Sequence, residues 1–196
     1  MADHCEREDL LRPGLYIPSK PSTHSLARPK VAEIASIEDQ IQLALDAGFL
    51  GTLHICHVSC PESARVIHAA KAKYQGKLKI TCGVTPHHLL FSYEMMDQFH
   101  TLGNFLKVNP PLRSEEDRLE MRKLLKAGYF DFFETDHAPH ASGENMSLSG
   151  IPTLHMYNDF LEVIEPEIGS ELLDAMTFGN IVRTFSPKLD HLLDLK

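Results

Sequence analysis

The hydrophobic positions between residues 31 and 84 follow two alternating spacings, one typical of helices and one typical of strands. From Val31 to Ala47 apolar residues recur every three or four positions, which predicts an amphipathic helix that ends at Gly48. Residues 51–59 and 77–84 are short apolar runs that predict buried strands. Pro61 suits the first turn of a second helix that continues to about Lys73. This order of elements is typical of parallel β/α units.

The pattern continues in the second part of the chain. Residues 104–108 predict another short strand, and Ser114 begins a helix that ends before Gly128. Three phenylalanines between residues 130 and 133 are strand formers that favour burial in a sheet covered on both faces. Helical patterns then occupy residues from about 153 to 164 and from 170 to 178.

These units predict an α/β fold, a partial TIM-like (β/α) barrel that holds roughly the last four β/α units. A closed barrel needs eight units, and 196 residues at this spacing hold about four. We expect one truncated barrel domain, in which residues 1–30 form a strand tip and loop, 31–165 the β/α units, and 166–196 a C-terminal helical tail. Open sheet edges demand a partner, so we expect a homo-oligomer or a companion chain that completes the barrel.

Charge and composition limit the classes of partner. A net charge of −8 without a basic stripe argues against nucleic-acid binding and suits a small-molecule substrate. No apolar run approaches the roughly 20 residues that span a bilayer, and the start of the chain has no signal-peptide pattern, so we expect no membrane segment and a cytoplasmic location. The four cysteines contain no C-x-x-C pair, which favours buried thiols over a zinc knuckle or disulfides.

Three candidate metal ligands, His4, His57 and Asp136, stand at predicted strand ends, where α/β proteins keep their chemistry. Alternation along residues 51–59 predicts that His57 shares the core-facing side of the strand with Leu53 and Ile55. Imidazole and carboxylate bind zinc, and three ligands leave one position open for water. Asp136 could bind the cation through one oxygen and accept a proton through the other. Taken singly, Asp136 could instead cap a turn and His57 could be a hydrogen-bonded core histidine.

Two further polar segments follow predicted strands. His87 and His88 are adjacent, and adjacent side chains of a strand point to opposite faces, so at most one could serve one centre. We interpret both as supporting or structural residues. Two prolines rigidify the loop after residue 108, which would present the Asn109 amide and the Arg113 guanidinium to a polar or carboxylate ligand. A rigid surface turn is the alternative.

Five segments in order carry these polar residues: His4-Cys5-Glu6, His54-Ile55-Cys56-His57-Val58-Ser59, Val84-Thr85-Pro86-His87-His88-Leu89, Lys107-Val108-Asn109-Pro110-Pro111-Leu112-Arg113 and Thr135-Asp136-His137-Ala138-Pro139-His140. Together they resemble the later half of class I dihydroorotases of the amidohydrolase superfamily. The resemblance implies two zinc ions in a complete site, of which this chain would hold at most a part.

The resemblance also implies roles for individual residues. His4 and His57 would hold one metal, and Asp136 would bind the other and move protons. Asn109, His140, and the loop at Ser149 and Gly150 would contact the cyclic substrate. In that family metal-bound hydroxide attacks the ring amide carbonyl of dihydroorotate, and the aspartate delivers a proton to the leaving nitrogen. The product is N-carbamoyl-L-aspartate, formed reversibly in pyrimidine biosynthesis.

The chain departs from that family in features that bear on activity. It has no His-x-His pair, and the strands that carry this pair and the bridging ligand belong to the half that is missing. Gly83 stands where the family commonly has glutamate, and residues 153–155 replace a Gly-Leu-Glu. Two alternatives therefore stay open: a catalytically silent scaffold subunit or fragment, and a hydrolase of another cyclic amide, of the allantoinase or hydantoinase type. The segment at residues 107–113 fits dihydroorotases better than either of these.

Overall fold

The computed structural model describes residues 1–140 and 148–186, in which four parallel strands form one sheet. The strands lie side by side in chain order: β1 Ala2–Asp3, β2 Thr52–Ile55, β3 Lys79–Val84 and β4 Phe132–Phe133. Asp3 pairs with Ile55, and Ile55 pairs with Cys82. Because all four strands are parallel, their carboxyl ends meet at one edge of the sheet. The predicted α/β class is confirmed.

Helices connect the strands and follow the last one. They are α1 Thr23–Ala27, α2 Lys30–Asp46, α3 Pro61–Lys73, α4 Pro86–Leu90, α5 Tyr93–Gln98, α6 Glu115–Lys126, α7 Tyr157–Ile168, α8 Ser170–Asp174 and α9 Asn180–Phe185. Short 3-10 helices occupy Glu8–Leu10, Pro13–Leu15, His100–Leu106 and Leu154–Met156, and a π-helical turn spans Ala175–Gly179. Within the described residues no helix is long and apolar enough to cross a membrane.

Helices predicted from periodicity and end signals are confirmed. The helix predicted from Val31 to Ala47 is α2, and α3 begins at Pro61 as expected. Ser114 caps α6 through a reciprocal capping box with Asp117, because the Ser114 hydroxyl accepts the Asp117 amide at 3.1 Å and Asp117 accepts the Ser114 amide at 3.3 Å. Gly128 follows that helix with a φ of 76°, which favours glycine.

Three strand predictions need correction. Residues 104–108 are not a strand: the 3-10 helix His100–Leu106 covers most of them, and the Lys107 amide donates to the Asn104 carbonyl instead of to a neighbouring strand. β2 ends at Ile55, so the alternation that was expected to put His57 on the core side stops two residues before it. His87 and His88 lie in α4 and not in a strand, because β3 ends at Val84 and Pro86 begins a helical turn.

The main hydrophobic core lies between the sheet and the surrounding helices. Leu53 and Ile55 of β2 and Ile67 of α3 are completely buried in it. The opposite face of the sheet carries His54, whose ring packs edge-on against Phe132 with centroids 5.0 Å apart. Residues 187–196, the last part of the predicted C-terminal helical tail, lie outside the described part of the chain, as do residues 141–147.

Candidate metal centre at the strand ends

His4 and His57 follow β1 and β2, and the parallel register of these strands brings the two imidazoles into contact. His4 Nδ1 lies 3.1 Å from His57 Nε2, and the rings meet edge-on with centroids 4.9 Å apart. Two imidazole nitrogens bound at about 2.0–2.1 Å to one tetrahedral zinc lie roughly 3.3 Å apart. The pair therefore fits two ligands of one metal ion.

Neighbouring charges hold His4 in place. Its Nε2 lies 3.0 Å from Glu6 Oε2, and the guanidinium of Arg28 donates to the same carboxylate at 2.5 Å. Burial acts to raise the pKa of Glu6, but hydrogen bonds from His4 and Arg28 outweigh it and lower the pKa. Glu6 is thus ionised at neutral pH, and a hydrogen bond that the far ring N–H donates to an ionised carboxylate is the usual support of a metal-binding histidine.

Asp136 follows β4 in a left-handed backbone conformation, with a φ of 44°. Burial raises its pKa above the ordinary value, the nearby His57 and His4 oppose that rise, and Glu134 adds to it. The carboxylate is therefore close enough to both histidines to interact electrostatically with them. In the described residues, however, His4, His57 and Asp136 do not form a group whose ligand atoms all lie within 4.8 Å of one another.

His87 faces this group from α4. It is completely buried, and neither ring nitrogen has a hydrogen-bond partner among the described residues. Its Nε2 lies 3.9 Å from Asp136 Oδ2. Burial lowers the pKa of His87 far below its ordinary value, and the neighbouring His88 and His57 lower it further, so the ring is neutral. An unpartnered buried imidazole beside a carboxylate is a feature that strand alternation could not reveal.

His88 has a structural role. Its Nδ1 lies 2.7 Å from the Thr85 hydroxyl, and its Nε2 lies 3.0 Å from the carbonyl oxygen of Pro110. The ring therefore joins the end of β3 to the proline loop. Both nitrogens are used in these bonds, which leaves none for a metal ion.

Glu134, His54 and Cys56 form a cluster that the sequence interpretation did not include. Their potential ligand atoms all lie within 4.8 Å of one another. Glu134 Oε1 accepts from His54 Nε2 at 2.5 Å, and Glu134 Oε2 accepts from the backbone N–H of His57 at 2.7 Å. The sequence signal that could have indicated this cluster was Glu134 directly after β4, together with Gly83 near the end of the neighbouring β3.

The predicted substrate residues lie in one region, around Lys107. His140 Nε2 lies 2.9 Å from the Ser149 carbonyl oxygen, and the Gly150 amide donates to the Lys107 carbonyl oxygen at 2.7 Å. Asn109 Oδ1 lies 3.0 Å from His24 Nε2.

Beside these residues is an open cavity of about 360 Å³, whose lining includes Tyr16, His24, Arg28, Lys107 and Ser149. Arg28 also binds Glu6, and Glu6 binds His4. A continuous set of polar contacts therefore leads from this cavity to the histidine pair.

Arg113 does not present its guanidinium to a ligand, contrary to the expectation from its loop. Only 4% of the residue is exposed. It donates to Ser59 Oγ at 2.9 Å, to the Arg28 carbonyl oxygen at 2.7 Å and to Glu33 Oε2 at 3.0 Å. Through these bonds the guanidinium fixes the loops at the strand ends.

Comparisons with known proteins place this chain in a family. No protein-family model matches the chain. A dihydroorotase from Brevibacillus brevis is 35% identical to it over 200 residues, which cover 98% of this chain and 42% of the relative. Among solved structures, L-hydantoinase from Arthrobacter aurescens superposes with a TM-score of 0.82 at 21% identity, over 94% of this chain and 43% of that one.

A dihydroorotase from Saccharomyces cerevisiae, solved in complex with 5-fluoroorotic acid, superposes with a TM-score of 0.64 at 20% identity, over 78% of this chain and 43% of that one. At these identities the structural matches establish the fold, and they agree with a partial barrel. The chain spans less than half the length of the relatives it matches. By sequence, this chain belongs to the dihydroorotase family.

Proposed function

We propose that the chain supplies the later part of a dihydroorotase, which hydrolyses dihydroorotate reversibly to N-carbamoyl-L-aspartate. The observation that carries the proposal is the contact between His4 and His57, two residues of the family's motifs, in a chain 35% identical to a dihydroorotase along 98% of its length. Zinc as the metal, a place in pyrimidine biosynthesis and a cytoplasmic location belong to the same proposal and rest on the family resemblance alone.

His4 and His57 would hold one metal ion, and Asp136 would serve a second ion and the proton transfer. When bound, a metal would lower the pKa of water and polarise the amide carbonyl. Burial of Asp136 favours its protonated form, whereas the two histidines favour the ionised form. A carboxyl group under such opposing influences is suited to accept a proton from water and return it to the leaving nitrogen.

Asn109, His140, Ser149 and Gly150 would contact the cyclic amide substrate. The bonds of His140 to Ser149 and of Gly150 to Lys107 support this assignment, because they hold the loop against a cavity large enough for a small ring. These residues would contact the ring and its carboxylate together.

Catalysis would need a partner, either another copy of the chain or a companion that supplies the remaining strands. The sheet in the described residues has four strands, and a closed barrel of this type has eight. The chain would thus be one truncated barrel domain whose sheet edges are completed by that partner.

The first test is the zinc content of the purified chain by elemental analysis, with His57→Ala and Asp136→Ala beside the wild type. His155→Ala is the matched control, because His155 is exposed in the described structure. We expect bound zinc in the wild type and the control, and a loss in His57→Ala. A wild type that holds no zinc at saturating concentration would refute the metal site.

Turnover is the second test. The chain should be assayed with dihydroorotate, allantoin and hydantoin, alone and after mixing with the complementary segment of the Brevibacillus brevis relative. Hydrolysis of dihydroorotate by the mixture supports the proposal. Preference for allantoin or hydantoin would instead assign the chain to another cyclic amide.

A scaffold subunit without activity is the second candidate function. The observation that favours it is the absence of any His-x-His pair from the sequence. A scaffold chain would assemble with the complementary segment in a sizing experiment, yet the mixture would hydrolyse none of the three cyclic amides. Assembly followed by turnover would exclude this candidate.

A further inference from the structure

We propose that Glu134 is a positioning residue for the metal centre. Its carboxylate, lodged over Gly83, holds the backbone of His57 in the conformation that turns the imidazole toward His4. This inference rests on the proposed function insofar as His57 is a metal ligand. The contact itself belongs to the chain alone and can be tested without metal.

The first argument is the backbone of His57. Its φ of 35° lies in the left-handed region, which residues other than glycine seldom adopt. The N–H of His57 donates to Glu134 Oε2 at 2.7 Å, so a charged acceptor holds the residue in this conformation. The ring touches His4 through Nε2, whereas His57 Nδ1 is buried without a partner among the described residues.

The second argument is the anchoring of the carboxylate. Its other oxygen, Oε1, accepts from His54 Nε2 at 2.5 Å, and His54 Nδ1 lies 3.0 Å from the Thr81 hydroxyl. His54 is 5% exposed and packs against Phe132. Each oxygen of Glu134 therefore has a fixed donor, and the acceptor presented to His57 cannot rotate away without breaking both bonds.

The third argument is the space at Gly83. A Cβ atom added at this position would overlap the carboxylate of Glu134. Gly83 of β3 pairs with Phe132 of β4, and Glu134 follows β4 directly. The glutamate side chain therefore occupies the space beside β3 that a side chain at position 83 would fill. The position of the Glu134 carboxylate thus depends on glycine at position 83, since a side chain there would displace it.

The competing interpretation is that Glu134 binds a metal ion directly. Its carboxylate, His54 and the Cys56 thiol lie close enough together for that. We favour positioning because both oxygens of Glu134 and both nitrogens of His54 already have partners in the chain. Cys56→Ser separates the two interpretations, since the thiol takes no part in the contact between Glu134 and His57.

The experiment measures zinc affinity by competition with a chromogenic chelator and amide hydrogen exchange at His57 by NMR, both on the full chain. The variants are Glu134→Ala, Glu134→Gln, Gly83→Ala and Cys56→Ser, with Glu162→Ala as a control because Glu162 is exposed on α7. We expect Glu134→Ala and Gly83→Ala to weaken zinc binding by about 10–100-fold, as loss of a supporting partner does at metal sites.

The two alanine variants should also speed exchange of the His57 amide, and Glu134→Gln should restore much of both properties because its amide oxygen still accepts the N–H. Cys56→Ser and Glu162→Ala should behave like the wild type. An equal loss of zinc in Cys56→Ser and Glu134→Ala would overturn the proposal in favour of direct ligation. Exchange at the His57 amide that is unchanged in a folded Glu134→Ala chain would also overturn it.

Failure of the proposed function would look different. A wild type that binds no zinc would remove the metal centre, yet exchange at the His57 amide without metal would still decide whether Glu134 holds this backbone. Far-UV circular dichroism identifies any variant that does not fold. If Glu134→Ala does not fold, a folded Gly83→Ala chain supplies the decisive exchange measurement, because the added methyl group displaces the same carboxylate.

Discussion

Replacing His87 by leucine is expected to stabilise the metal-free chain. The ring is completely buried, and neither nitrogen has a partner among the described residues. A buried polar group left without a hydrogen bond costs about 1–3 kcal/mol, and a neutral imidazole has one donor and one acceptor. Leucine has no polar atom and a similar size. Allowing for imperfect packing of the new side chain, we expect a net gain of about 1–3 kcal/mol in the free energy of unfolding.

The measurement is urea unfolding followed by circular dichroism at pH 7.5 with a chelator present, supported by the thermal midpoint. For a chain of this size the midpoint should rise by about 2–4 °C for each kcal/mol. His155→Leu is the control, because the same replacement at an exposed position should change stability by less than about 0.5 kcal/mol. A His87→Leu chain that is less stable than the wild type would refute the reasoning, since the ring would then make a favourable interaction that outweighs its desolvation.

Three further predictions concern stability. Arg113→Ala should destabilise the chain by about 3–5 kcal/mol in urea unfolding, because it leaves the buried Glu33 carboxylate without its guanidinium partner. If the double variant Arg113→Ala with Glu33→Gln loses as much free energy of unfolding as Arg113→Ala alone, or more, this explanation is wrong. Ser114→Ala should cost about 1 kcal/mol through loss of the α6 cap, and Ser114→Asp should retain most of it. Stability should fall as pH drops below about 6.5, because burial lowers the pKa of His24 to about 4 and of His88 to about 3, so that both take up protons on unfolding. From His24 alone the loss at pH 4 is about 3 kcal/mol, and a flat unfolding free energy between pH 7 and pH 4 would contradict the burial of both rings.

Local patterns were sufficient for the helices on the outside of the sheet. α3 begins at Pro61, and α6 is bounded by its capping box and by Gly128, so each end has a signal within a few residues. The order of strands and helices predicted the parallel sheet, because strands that alternate with helices are typical of parallel β/α units. Strand limits were less well predicted, because β4 has two residues and its length depends on pairing with β3.

For the candidate site, the motifs located His4, His57 and Asp136 at strand ends, but they could not predict the geometry between them. The contact of His4 with His57, 53 positions later in the chain, depends on the register of β1 against β2. The full burial of His87 and the internal partners of Arg113 likewise depend on elements distant in sequence.

The sequence by itself determined the α/β class and the helices with local end signals, because periodicity and capping act over short distances, and residue chemistry predicted His4, His57 and Asp136 as metal ligands. Only the tertiary structure decided which of those residues meet. Glu134 lies over Gly83 and holds His57 because β3 and β4 are neighbours, and no local pattern records which side chain fills the space left by a glycine on the next strand.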